Sequence, residues 1–297
     1  MDVHPSARRD RSDLGEFLRT RRGRVRPEDA GLTPVPTVRR VPGLRREEVA
    51  QLAGVSVDYY VRLERGRDVN VSEAVLDAIA RALRLTDDER SHLNALARPV
   101  RRRPRPVPPQ RVRPSVHRIL ETMGDNPAFV VGHRTDVLAA NRMARALLTD
   151  FDALPYRDRN MARYIFLDEA ARSLYADWET VARSSVSALH LYAGRHPHDP
   201  RLAELVGELS VRDQDFRRWW ADHDVARRTH GSKRFHHPVV GDLTLNYDVL
   251  ALTDDPDQLL GVYTAEPRSP AEEALRLLAA WTADPSDEKN PTTPYVR

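Results

Sequence analysis

Residues 98–114, RPVRRRPRPVPPQRVRP, hold seven arginines and six prolines. Proline fixes φ and lacks a backbone N–H, so this run can build neither a helix nor a central strand. It reads as an extended, polyproline-like basic linker, either a solvated spacer or a row of arginines laid along DNA phosphates. The chain of 297 residues is thereby divided into two folded parts, 12–97 and 115–282. The segment 283–297 is polar and broken by proline, and is expected to be disordered.

The two parts carry opposite charge. Residues 1–114 hold 25 arginines against 16 acidic residues, a balance of +9, while the remainder stands at −6. The only lysines are Lys233 and Lys289. GC-rich coding would explain arginine over lysine, but not the lopsided sign. Arginine binds phosphate through a planar fork, so a basic first third suits nucleic acid. Cysteine is absent, which excludes disulfides, thiolate nucleophiles and cysteine-ligated metals and suits a reducing cytoplasm. No stretch approaches the roughly 18 consecutive apolar residues of a membrane helix, so no membrane association is expected.

The first part is helical throughout. Leu14, Phe17 and Leu18 follow the i, i+3, i+4 spacing of an amphipathic helix. A Pro- and Gly-rich loop follows over 23–43, and further helices are expected over 45–53, 56–65 and 72–83. Another opens at Thr86, whose spacing to Glu89 is that of a capping box. Within this part, residues 46–64 have the pattern of two helices joined by a tight turn. Ala50 is small where the helices would cross, and Gly54 tolerates the positive φ of the turn. Val49, Ala53, Val55, Tyr60 and Leu63 recur at core-facing spacing, and Ser56 suits the N-cap of the second helix. Val57, Asp58 and Arg62 remain on that helix's outer face, directed at base edges if it enters a major groove. Arginine there pairs with guanine, aspartate with cytosine N4, and valine with a thymine methyl. Arg45, Arg46, Gln51, Ser56 and Tyr59 are placed for phosphates, which position a protein without reading sequence. A generic helical bundle also has short helices and glycine turns. Cap, glycine, core spacing and basic surroundings together favour double-stranded DNA.

GLRREEVAQLAGVSVDYYVRLERGR, followed by LDAIARALRL and DDERSHLNALA, resembles the Xre-type helix-turn-helix of actinobacterial MmyB-like regulators. The likeness continues past the linker in PAFVVGHRTDVLAANRMARALL, RNMARYIFLDEAARSLYADWE, AGRHPHDPRLAELVGELSVRDQDFRRWWADHDV and HPVVGDLTLNYDVL, which are similar to the MmyB-like ligand-binding domain. It spans about 12–282. The resemblance implies a PAS-like sensor domain in a one-component transcription factor, with a fatty acid as the ligand type. Positions such as Val61 depart from the family's recognition helix, so the operator sequence does not carry over.

In the second part, a helix over 115–123 precedes a hairpin of 128–131 and 136–141. Helices follow over 142–148, 161–166, 169–194, 201–209 and 213–223, then strands over 233–240, 242–252 and 259–265, and a helix over 270–281. Strands at both ends with helices between them describe an α+β domain with one antiparallel sheet, and a PAS-like order fits. The fold class is therefore a two-domain α+β chain with an all-α helix-turn-helix bundle at its N-terminus. Arg159 and Asn160 precede the helix at Met161, where backbone N–H groups favour an anion such as a fatty-acid carboxylate. Tyr164, Phe166, Trp178, Phe216 and Trp220 are candidates to line an acyl-sized slot, or equally to be core. Arg159 could instead pair with a carboxylate and orient a loop. The histidines lack the H-E-x-x-H spacing of a zinc site, and His236 and His237 point to opposite faces of a strand, so no metal is expected. His223 reads as a helix C-terminal histidine favoured by the dipole.

No nucleophile elbow, phosphate-binding loop or dinucleotide fingerprint occurs, so no enzyme activity and no cofactor are expected. The leading reading is a cytoplasmic, sequence-specific DNA-binding regulator whose second domain senses a small apolar molecule. It is expected to act as a homodimer, since one helix-turn-helix covers one half-site. The alternative is an antitoxin-like or protein-contact regulator with no small-molecule ligand.

Overall fold

Local signals place the first helices. The computed structural model describes residues 5–32, 43–67, 71–97, 110–225 and 229–283. The loop over 33–42, most of the linker (98–109) and the tail from 284 lie outside the described residues. Five helices form the first part: α1 (Pro5–Arg24), α2 (Arg46–Ala53), α3 (Val57–Glu64), α4 (Glu73–Ala82) and α5 (Asp87–Ala97). Gly54 takes φ +65° as the C-cap of α2, and Ser56 accepts the Tyr59 amide to open α3. Ser72 caps α4 in the same way. The reciprocal Thr86–Glu89 capping box opens α5, with bonds of 2.8 and 3.3 Å. The amphipathic stripes meet in one core built from Leu14, Phe17, Val49, Tyr60, Leu63, Leu76, Ile79 and Leu93. Helix α1 crosses the end of α3 closely at Gly15, where a Cβ would stand 2.3 Å from the Glu64 carbonyl oxygen.

Then follow α6 (Pro114–Thr122), β1 (Ala128–Val131), β2 (Val137–Ala140), α7 (Arg142–Leu147), α8 (Met161–Leu167) and α9 (Glu169–Leu174). After them come α10 (Trp178–Arg195), α11 (Pro200–Arg212) and α12 (Gln214–Ala221). The last elements are β3 (His230–His237), β4 (Gly241–Leu252), β5 (Asp255–Thr264) and α13 (Pro270–Thr282). The strands form one antiparallel sheet in the order β2-β1-β5-β4-β3, so strands from both ends of the domain share it, as expected. Gly241, at φ +76°, makes the tight turn between β3 and β4. One face of the sheet packs on α6: Ala128, Val130, Ala139 and Leu260 are buried against Val116 and Leu120.

The chain divides into two compact units. The described residues of 1–108 and 183–227 form one, and those of 109–182 and 228–297 form the other. Residues 183–227, within the segment 115–282 expected as one domain, thus cluster with the helix-turn-helix, and the division falls inside α10.

Two local expectations are corrected. The single helix expected over 169–194 is broken between α9 and α10. Tyr175 turns extended (φ −88°, ψ 113°) and forms an isolated antiparallel bridge with Phe235 of β3. Burial of its ring, centroid 5.3 Å from that of Phe235, outweighs helical propensity there. His223, expected as a dipole-favoured helix terminus, stands past the end of α12 at φ +49°. It is buried, and burial lowers its pKa, so its environment disfavours the charged form that a helix dipole would favour.

Candidate nucleic-acid interface and ligand site

The geometry of α3 is set by its buried side. Tyr60 and Leu63 are fully buried in the core, and the Glu64 carboxylate is buried beside them. Arg22 of α1 grips that carboxylate with Nε and Nη2 at 2.9 and 3.0 Å, and Arg46 of α2 binds it at 3.0 and 3.1 Å. Arg19 approaches to 3.8 Å. Burial pushes the Glu64 pKa up, but the hydrogen bonds and charges of Arg22 and Arg46 outweigh it, and the net shift is downward. One carboxylate therefore pins α1, α2 and α3 together, and α3 is held in one orientation.

The opposite side of α3 faces solvent. Val57 is 41% exposed, and the side chains of Asp58 and Arg62 are 85% and 52% exposed. Asp58 and Arg62 stand one turn apart at 3.7 Å. Gln51 and Ser56 are exposed beside them, and Tyr59 and Arg45 are half-buried. The Ser56 hydroxyl accepts the Tyr59 amide at 3.1 Å, and the Arg45 amide donates to Glu48 at 2.7 Å. Arg46 is turned onto Glu64, with its side chain still 42% exposed. Val57, Asp58 and Arg62 thus share one solvent-facing surface. Glu64 escaped sequence reading because its partners lie 18 and 42 residues away.

The candidate ligand residues fall in two places. Arg159, Asn160, Tyr164, Phe166 and Trp178 belong to the sheet unit, Phe216 and Trp220 to the helical unit. Asn160 caps α8 by accepting the Arg163 amide, and its own amide donates to the Arg134 carbonyl and Asp136, both at 2.8 Å. The Arg159 guanidinium donates to the Leu154 and Asp152 carbonyls at 3.0 and 2.8 Å and to the Asp152 carboxylate at 3.3 Å. It braces the loop before α8. The Tyr164 hydroxyl donates to the Leu148 carbonyl, and Trp178 packs edge-on against Phe166 at 5.8 Å. Phe216 and Trp220 stack at 5.7 Å.

A cleft of about 450 Å³ opens between β3, β4 and the start of α13. In it Arg234 is paired with Asp177, His236 with Asp242 and Asn246 with Glu266. One basic group of the sheet differs. Lys233 of β3 donates to the Tyr263 hydroxyl at 2.9 Å and lies over the rings of Tyr247, Tyr263 and Tyr175, at 4.6, 5.2 and 5.9 Å from their centroids. Its rarity was visible in the sequence, but its surroundings come from distant positions that only strand register unites.

Residues 112–278 match the model of the MmyB-like transcription regulator ligand binding domain, more than half of the chain, and residues 13–93 match a helix-turn-helix domain. The chain belongs to the MmyB-like transcription regulators. These families are transcription regulators, not enzymes. A search of curated proteins gave no match.

Part of the regulator's ligand-domain match, residues 183–227, falls in the unit that holds the helix-turn-helix. There Arg21 of α1 pairs with Glu89 at 2.8 Å and donates to the His223 carbonyl, and Arg24 pairs with Asp224. His190 stacks on Trp220 at 3.9 Å and donates to its carbonyl at 3.0 Å. His92 of α5 lies 6.3 Å from His190 between centroids, and His223 lies 5.1 Å from it. Burial lowers the His92 pKa to about 4 and holds His190 well below its ordinary value. Among the described residues of the regulator, no helix is long and apolar enough to cross a membrane.

Proposed function

We propose that this MmyB-like regulator reads double-stranded DNA by seating α3 in the major groove. Val57, Asp58 and Arg62 meet base edges, and Arg45, Arg46, Gln51, Ser56 and Tyr59 meet phosphates. The observation that carries the reading is the two-sidedness of α3. Its inner face is locked by Tyr60, Leu63 and Glu64, while its outer face presents three exposed side chains that differ in chemistry. A rigid helix with a solvent-exposed outer face is what direct readout needs. The regulator is cytoplasmic and acts as a homodimer on an inverted repeat, because one α3 covers one half-site. Its sheet domain binds a small apolar molecule of fatty-acid type, with Tyr164, Phe166 and Trp178 among the wall residues. The family match supports ligand binding by this domain.

Selection from a random duplex pool with the full chain, with light scattering of the resulting complex, tests this. An enriched inverted repeat with half-site centres about one helical turn apart (roughly 34–36 Å) or a multiple of it, bound by two chains, is expected. Failure of any sequence to enrich would overturn it.

A further inference from the structure

Lys233 is half-buried, and its ammonium has no carboxylate within ion-pair reach among the described residues. The buried arginines of the molecule are different: Arg21 pairs with Glu89, Arg22 with Glu64 and Arg134 with Asp136. The three tyrosine rings attract the cation without neutralising it. Burial, with Tyr263 beside it, pushes the Tyr175 phenol well above its ordinary pKa, so that ring stays uncharged. An ammonium has three donors, and the Tyr263 hydroxyl takes one.

Strand register extends the surroundings. Gly231 stands opposite Tyr247, Lys233 opposite Leu245 and Tyr247 opposite Tyr263. Val249 pairs with Gly261, which pairs in turn with Phe129 of β1. Directly opposed residues share a face, so Lys233 lies at one end of a strip formed by Tyr247, Val249, Gly261, Phe129 and Leu259. The strip is apolar apart from the Tyr247 hydroxyl. Tyr247, Val249 and Phe129 are half-buried and Leu259 is 37% exposed, whereas the reverse face is closed by α6. One uncompensated positive charge at the end of an apolar strip fits an amphipathic monoanion. A phosphate, with its higher charge, is better met by the forked donors of arginine.

We propose that Lys233 anchors the carboxylate of a small organic acid whose apolar body lies along this strip, a reading that rests on the ligand-binding assignment of the domain. Tyr263 positions the ammonium by accepting a hydrogen bond from one of its N–H groups, and the two remaining N–H groups meet the carboxylate.

The lysine count makes a direct test possible. In the full chain labelled with [13C]lysine, only Lys233 and Lys289 give signals. The Lys233 side-chain signals should lie upfield, shifted by the three rings. Decanoate should move them saturably and leave Lys289 in place. Decanol, the neutral match, should bind roughly tenfold more weakly or worse, and Lys233→Met should lower decanoate affinity by about tenfold or more. Lys233→Arg, which keeps the charge, should retain most of it. Decanoate binding with a stationary Lys233 signal and full affinity in Lys233→Met would overturn the proposal while leaving the sensor domain intact. Equal binding of decanol and decanoate would also overturn it, since the carboxylate would not be read. Silence of both probes overturns it as well. Native mass spectrometry of the freshly purified chain then judges the sensor reading separately, by whether any small molecule is retained.

Discussion

Glu64 is a charge taken out of water and Lys233 one half-withdrawn from it, and they are treated in opposite ways. Glu64 is gripped by Arg22 and Arg46, with Arg19 nearby, so the charge is answered inside the protein and locks three helices. Lys233 is surrounded by three phenol rings and one hydroxyl acceptor, so its position is fixed while its charge stays unanswered. The first arrangement is closed and serves to orient a helix. The second is incomplete and invites a partner. A buried charge is thus a sign of architecture or of recognition according to whether the chain supplies its counter-ion.

The largest expected effect comes from breaking the closed arrangement. Glu64→Gln leaves Arg22 and Arg46 converging on a neutral amide. It should destabilise the helical unit by about 3–5 kcal/mol, read as a fall in denaturant midpoint, because removing one partner strands the others. An effect under roughly 1 kcal/mol, the range of a surface pair, would show that the cluster is solvated.

Acid should loosen the same unit by a different route. His92 and His190 are held neutral in the folded state, so the unfolded chain takes up protons first as pH drops below about 6.5. Stability is full at neutral pH and declines as pH falls towards the His92 value of about 4. The loss from His92 is on the order of 3 kcal/mol at most, and His92→Leu should flatten that slope. An unchanged slope would remove His92 from the account.

Arg62→Ala comes next. It should weaken operator binding by roughly 1–3 kcal/mol and relax preference at one base position, with random-duplex affinity largely kept. Equal loss on both duplexes, in a fluorescence-anisotropy titration at fixed salt, would reassign Arg62 to phosphate. Arg159→Ala should be the mildest, costing about 0–1 kcal/mol in stability, since its pairing with Asp152 is part-exposed. A selective loss of ligand binding at unchanged stability would instead return Arg159 to the pocket.

What could be read in the sequence follows from how far apart the deciding residues lie. Gly54, Ser56 and the Thr86–Glu89 box act within a turn of the helix they shape, and the helix-turn-helix was legible for that reason. Hairpin β1–β2 and the Gly241 turn are equally local. The break at Tyr175 was hidden, because a strand residue 60 positions later, Phe235, decides it. The scarcity of lysine was plain in the sequence, but the ring of Tyr175, Tyr247 and Tyr263 appears only when β3, β4 and β5 are in register and Tyr175 bridges to Phe235. Glu64 looked like one more charge on a helix until α1 supplied Arg22. The clustering of 183–227 with the helix-turn-helix had no local signal either, since it depends on pairs such as Arg21 and Arg24 with Asp224.

The central claim is that the outer face of α3 is the surface that meets DNA. Hydroxyl-radical footprinting of the full chain, with and without its selected operator duplex, reads this side chain by side chain. Val57 and Tyr59 should lose reactivity on binding, while Tyr247 and Leu259 of the sheet stay as reactive as before. Unchanged reactivity at Val57 and Tyr59, with protection at the sheet instead, would contradict the account.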